Sequence, residues 1–502
     1  MTDLASTARP LPAQKREVPT ARSVPRALGL VGYVAMTVVA GAWAAVLGAV
    51  AIWRHQEFLS HRGDLGVMVQ TIWSTAHGRF LEVTDAATGE QAARLAGHVD
   101  PILVLYVPLW WLHSSPETLL VAHAAAFAAG VYPVVRLALE HTKSRLVASL
   151  LGAWFLCFPW IVWMTFNELN PSGLSLPLLL YAFWFLDQRR LGRFWVAIAL
   201  TLATGELIGL TIAALGVWHA LRTRELRLGA TIAAVGAGWT TLCLALIVPS
   251  FYDGQSSRFY GHFENVGGSP VGLVRTLFTD PGTIVEQVAT AGDLQYVAWL
   301  AAPTLLLFLG APLLLIVALP QLAVNLLAEQ PATVSPLYHY SAPIVATLIV
   351  ASVLTIGRLS PRRRILAAAG VLFSAAFLLG SIPPVPGQER YLFPSREGPA
   401  RIAAMEEAVA LVPLGVPVTS TNRLGAHLSE RRVVHVFPRE RDAEWAAVDA
   451  QDPPSRWWDP SDRHVFRRYV ERIHANPDWE LVFERESIRV YRRQASAPRG
   501  SN

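Results

Sequence analysis

The chain has 502 residues, 53% of them hydrophobic and 16% charged, with a formal net charge of +5. Soluble proteins carry about 25% charged residues, so a single large soluble core is excluded and a polytopic membrane protein is expected. The basic balance does not point to nucleic acid, because most Lys and Arg fall in short loops between apolar runs.

Residues 1–26 hold Arg9, Lys15, Arg16, Arg22 and Arg26. The uncharged run Ala27–Trp53 that follows is longer than a cleavable signal core, which predicts a disordered cytoplasmic tail and a first spanning helix. Further uncharged runs long enough to cross are Thr118–Val135, Leu146–Phe166, Leu169–Leu186, Leu228–Tyr252, Leu294–Ala328, Tyr340–Gly357 and Ile365–Gln388. Segments 1–26, 136–145, 187–193, 219–227 and 358–364 carry five, three, three, three and four Lys/Arg, against four and two in the longer loops 54–100 and 250–293. Positive loops stay in the cytoplasm. The amino terminus is therefore expected inside, with 54–100 and 250–293 outside.

Parity settles three other places. The run "PILVLYVPLWWLH" (101–113) is too short to cross and reads as a re-entrant or interfacial helix. Residues 194–221 must go out and return, with Glu206 of "TGEL" at the tip of two short helices. Leu294–Ala328 is too long for one helix and is expected to break at "GAP" (310–312). The count is about eleven spanning helices plus the juxtamembrane one.

From about residue 389 the charges become dense and alternating runs appear: "VPVTST", "RVVHVF", "WAAVDA", "ELVFE" and "IRVYRR". Helical patterns lie between them, "RIAAMEEAVALV" and "RHVFRRYVERI". Residues 389–502 thus read as a small extracytoplasmic α/β domain, and the fold class is mainly α, a transmembrane helical bundle with that domain appended. Cys157 and Cys243 lie in apolar runs and suit packing rather than a disulfide or metal site.

This topology gathers polar residues on one side. Arg62 and Asp64 open the first outer loop in "HRGDLG", and His98 and Asp100 close it in "GHVDP". Glu168 and Asn170 form the next turn in "NELNP", and Glu206 the one after. Arg258, Tyr260 and His262 follow in "SRFYGHF", then His339 and Tyr340 in "LYHYSAP". A carboxylate at membrane level costs about 2.5–3.5 kcal/mol on insertion scales, so Glu206 is expected to face a cavity. Each residue alone has a plainer reading: Asp64 as a turn or helix cap, His98 as a cap, Asn170-Pro171 as a helix start, and Arg258 and His262 as solvated loop residues. Their convergence is the argument for function.

The stretches "GDLGVMVQTIWSTAHGRFL" (63–81), "GHVDPILVLYVPLWWL" (97–112), "NELNPSGLSLPLLLYAFWFL" (167–186), "TGELIGLTIAALGVW" (204–218) and "YHYSAPIVA" (338–346) resemble, in order, the bacterial membrane-protein family called domain of unknown function 2079. That family looks like a member of the C-type glycosyltransferase superfamily, polytopic enzymes that take sugars from polyprenyl-phosphate carriers on the outer face. Asp64 matches the superfamily's acidic residue in the first outer loop, and 101–113 matches a juxtamembrane helix. The chain departs from the family where Asp-x-His-Pro becomes Glu168-Leu169-Asn170-Pro171 and Lys-Glu-Asp becomes Gly205-Glu206-Leu207.

The resemblance implies a transmembrane domain over 27–388, with outer loops 54–116 and 250–293, in the bacterial cell membrane. Asp64 would be the catalytic base, and Glu168 and Glu206 would shape the sugar pocket or hold Mg2+ or Mn2+. Arg62, Arg258 and His339 would meet the leaving phosphate. His98, Asp100, Asn170, Tyr260 and Tyr340 would complete the substrate site. The partners implied are membrane lipids, a polyprenyl-phosphate-linked sugar and a cell-envelope glycan, lipid or protein acceptor. The alternative is a transporter or lipid-handling protein using the same cavity.

Overall fold

The computed structural model describes residues 29–86, 88–252, 258–381, 398–452 and 463–494. The expected tail (1–26) and the expected domain boundary at residue 389 lie outside these residues. Among the described residues, five helices are long and apolar enough to cross a membrane: Val31–Gln56, Pro116–Thr142, Leu226–Phe251, His339–Arg358 and Pro361–Gly380. The pair Arg145–Leu156 and Pro159–Phe166, bent by 45° where Pro159 cannot donate to the preceding turn, is a sixth when counted as one broken span.

The other apolar runs form shorter pieces. Residues 171–187 make a 3-10 turn and a 13-residue helix, Ser175–Asp187. Leu191–Leu202 and Ile208–Thr223 form the expected hairpin, with Glu206 in its turn. Residues 101–112 form a 3-10 segment and the short helix Val107–Leu112, too short to span. The Leu294–Ala328 run is interrupted more widely than "GAP" alone suggests. It is helical over Ala291–Ala301 and Leu319–Leu327, with 3-10 turns between them and left-handed backbone at Leu305 and Leu306.

Glycines set the tightest helix contact. A Cβ on Gly209 would lie 2.3 Å from the Gly236 carbonyl oxygen, and one on Gly216 would lie 2.4 Å from the Ala233 nitrogen. Helices Ile208–Thr223 and Leu226–Leu242 can therefore touch backbone to backbone, as small residues allow in membranes. That closeness lets Trp239 donate to the Gly205 carbonyl at 3.0 Å and Thr240 to the Glu206 carbonyl at 2.9 Å. Gly216→Leu is expected to wedge the pair apart at a cost of at least about 1–3 kcal/mol. A purified variant melting at the wild-type temperature would contradict this spacing.

A two-stranded hairpin, β1 (Glu82–Thr84) with β2 (Gln91–Ala93), follows the first helix pair. The C-terminal part forms a five-stranded sheet in the order β4-β3-β5-β7-β6. Its strands are β3 (Val418–Ser420), β4 (Val434–Val436), β5 (Trp445–Asp449), β6 (Trp479–Arg485) and β7 (Ile488–Arg493). β3 pairs parallel to β4 and β5, and β7 pairs antiparallel to β5 and β6. All five lie on the alternating runs of the sequence. Along β5, Ala447 packs toward helix Pro399–Leu411, whereas Ala446 and Val448 pack toward helix Arg463–Ala475. Phe58, just past the first spanning helix, sits in the Ala447 side of this core.

Candidate active site

The first spanning helix ends at Gln56, and the chain then makes a single π-helical turn, Arg62–Gly66. The Gly66 N–H donates to the His61 carbonyl at 3.0 Å, which closes this wide turn. Leu65 is fully buried and Asp64 is exposed, so the turn is anchored by its leucine and presents its aspartate.

Glu168 organises the turn from 103 residues away. Its Oε2 accepts from the Leu65 N–H at 2.8 Å and the His61 N–H at 3.2 Å, and its Oε1 meets His61 Nδ1 at 2.7 Å. Glu168 is itself buried and left-handed, with φ +71°. That conformation costs a non-glycine residue about 1–2 kcal/mol, and these three bonds hold it in place. Burial pushes the Glu168 carboxyl up, but His61 and the two amides outweigh it and hold it below the usual carboxylate range. Burial likewise depresses His61, but the Glu168 carboxylate reverses the effect and raises it above an ordinary histidine. The pair is therefore ionic.

His61, Asp64 and Glu168 each offer a ligand atom, and those atoms lie within 4.8 Å of one another. One imidazole and two carboxylates suit a divalent cation such as Mn2+ or Zn2+ better than the all-oxygen shell of Mg2+. An ion here would compete with the His61–Glu168 pair.

A second carboxylate–histidine pair repeats the arrangement. Glu206 is buried in its hairpin turn, accepts from the Val99 N–H at 3.1 Å, and meets His98 Nδ1 at 3.4 Å. Burial again pushes the carboxyl up, and His98 with the amides brings it below the usual range. The two glutamates thus each fasten one end of the loop that runs between the first two spanning helices. His339 lies within electrostatic reach of His98 and meets Tyr340 at a tilt of 42° with ring centroids 4.1 Å apart.

The remaining expected residues have other surroundings. The Arg62 guanidinium is enclosed, donating to Gln70 Oε1 at 2.5 Å, the Val434 carbonyl at 3.3 Å and the Thr84 carbonyl at 3.4 Å. Burial lowers its pKa to about 10. It faces the C-terminal domain, away from the cavity expected of it. Asp100 is buried in a two-pronged pair with Arg94, with contacts of 2.6–2.9 Å. Asn170 caps the 3-10 turn by accepting from the Ser172 N–H at 3.3 Å and hydroxyl at 2.9 Å. The His262 carbonyl accepts from the Glu329 N–H at 2.9 Å. Arg258 and Tyr260 lie outside the residues whose side chains are described.

His61 was missed by sequence reasoning, which singled out Arg62 and Asp64 of "HRGDLG" and passed over the histidine beside them. Its signal was present, since it directly precedes the Gly-flanked aspartate.

Residues 54–482 match the model of the family described as "Predicted membrane protein (DUF2079)". The chain belongs to this family. No curated protein sequence matches it. Among solved structures it is similar to the crystal structure of ArnT from Cupriavidus metallidurans bound to undecaprenyl phosphate, at 12% identity and a TM-score of 0.51. The match covers 91% of this chain and 98% of that one. At that identity the likeness shows the fold alone: this DUF2079 chain shares the polytopic helical architecture of that structure.

Proposed function

We propose that this DUF2079 protein transfers a sugar from a polyprenyl-phosphate donor to a hydroxyl acceptor at the outer face of the bacterial cell membrane. The observation that carries the reading is the exposed Asp64, presented just past a spanning helix on a turn fixed by the His61–Glu168 pair. A general base needs an exposed carboxylate on a held backbone. The ArnT likeness supports the reading, because that protein's structure contains a polyprenyl phosphate.

In the reaction, the bond between the anomeric carbon and the phosphate oxygen breaks, and its electron pair leaves on the phosphate. The acceptor oxygen forms the new bond to that carbon and gives its proton to Asp64. The Glu168 carboxylate raises the His61 pKa, and positive charge on His61 beside Asp64 would favour the ionised form of Asp64. Glu168 and Glu206 shape the sugar site by holding His61 and His98. From the sequence, His339, Tyr340, Asn170, Arg258 and Tyr260 are added to the substrate site. Should His61, Asp64 and Glu168 instead hold a divalent cation, it would take the place of the His61 proton and supply electrostatic stabilisation of the departing phosphate.

The direct test is turnover of a polyprenyl-phosphate-linked sugar by the purified protein. Transport of the lipid across a vesicle without cleavage would favour a lipid-handling protein. Topology is tested separately: a cysteine at Ser172 is expected to react with an impermeant reagent added outside the cell, and one at Thr223 is not. Labelling of Thr223 alone would invert the orientation and put Asp64 on the cytoplasmic side.

A further inference from the structure

In open α/β sheets, ligands sit in the crevice outside the carboxyl ends of the parallel strands. In this C-terminal sheet, those ends belong to β3, β4 and β5. The end of β3 leads into Asn422, and the end of β5 into Asp449–Asp452. The helix that follows β3, Asn422–His427, lies directly on the Arg62–Gly66 turn.

The approach is close. A Cβ on Gly425 would lie 2.9 Å from Arg62 Cβ, and one on Gly66 would lie 2.7 Å from Ser429 Oγ and 3.3 Å from Ala426 Cα. Three further contacts lock the join. Gln70 Nε2 donates to the Arg432 carbonyl at 2.7 Å, the Val434 N–H donates to Thr84 Oγ1 at 3.0 Å, and the His55 and His427 rings stack at 4.0 Å. At the edge nearest Asp64, the Gly63 N–H donates to Asn422 Oδ1 at 3.2 Å. Asp452 accepts from the Arg423 N–H at 3.2 Å and lies within electrostatic reach of His61.

We propose that the C-terminal domain is a working half of the Asp64 site, with Asn422 the positioning residue that fixes the Arg62–Gly63 peptide, directly before Asp64, and so aims the Asp64 carboxylate. The proposal rests on the reading of Asp64 as the acceptor's base. Glu168 holds the turn through His61 and Leu65, on either side of Gly63 and Asp64. Gly63 has no side chain to brace it and a wide choice of backbone angles. The Asp64 N–H closes the turn over Gly63 by donating to the His61 carbonyl at 3.2 Å, and the Asn422 oxygen holds the Gly63 N–H from outside the turn. A displacement of about 1 Å at a reacting group costs up to about a hundredfold in rate.

The test uses the full-length purified chain and two variants. Asn422→Leu removes the accepting oxygen, and Asn422→Asp keeps it. Assays run at pH 8, where the added carboxylate and Asp64 are both ionised. Asn422→Leu is expected to lower kcat at least about tenfold, with the donor KM within about twofold and the melting temperature unchanged. Amide exchange at Gly63–Leu65 should quicken at least about fivefold in the same variant. Asn422→Asp should stay within about threefold of wild type in both readouts. Wild-type kcat and exchange in Asn422→Leu would overturn the proposal, as would equal losses in the two variants. If the wild-type protein transfers no sugar, the function reading fails by itself, and the exchange measurement still decides whether Asn422 holds the turn.

Discussion

Asp64→Asn is expected to lower sugar transfer at least about a hundredfold while leaving insertion and melting unchanged. Asparagine keeps the size of the side chain and its ability to hydrogen-bond, but it cannot take a proton from the acceptor hydroxyl. The backbone of the turn is held by His61, Leu65 and Glu168, none of which the substitution touches. Asp64 is exposed, so its replacement opens no cavity in the core. The loss should fall on kcat, since the proton is taken only as the new bond forms. An Asn variant with wild-type turnover would remove Asp64 from the mechanism.

Glu168→Ala is expected to have a comparable effect on rate and a visible one on structure. It strips the buried Leu65 N–H of its acceptor, at a cost of about 1–3 kcal/mol. It also releases His61 and leaves a left-handed backbone at position 168 without the bonds that held it. Transfer should fall about a hundredfold. The His61 imidazole, no longer facing Glu168, should lose its elevated pKa and titrate at or below an ordinary histidine, because burial is then the dominant influence. Histidine titration by NMR checks this directly. A Glu168→Ala protein with an unchanged His61 pKa would show that the ion pair does not form.

The sequence made some of this legible and hid the rest, for physical reasons. The five C-terminal strands were readable because short apolar runs there are set off by dense charge and turn residues, even though β3 and β5 are buried on both faces and do not alternate. The Glu206 hairpin was readable because a lone carboxylate amid uncharged residues needs a turn and a partner. The stretch from Pro303 to Val317 was less so: Pro303 and Pro312 remove backbone donors, and the chain resolves this with a series of 3-10 turns that have no hydropathy signature. The pairing of His61 with Glu168, across 107 residues, and of Arg62 with Val434, across 372, leaves no local periodicity at all. Arg62 was therefore taken for a phosphate donor when its neighbours are a glutamine and two carbonyls.

That last contact bears on how the protein is made. Arg62 is among the first residues to emerge past the opening helix, and the carbonyl that receives its charge lies 372 residues later. At about 5–20 residues per second, a ribosome needs roughly twenty seconds to more than a minute to supply it. Through that interval the turn bearing Asp64 has no finished shape. Under the proposed function, a nascent or truncated chain would leave the lipid carriers around it untouched until its last domain has folded onto its first loop.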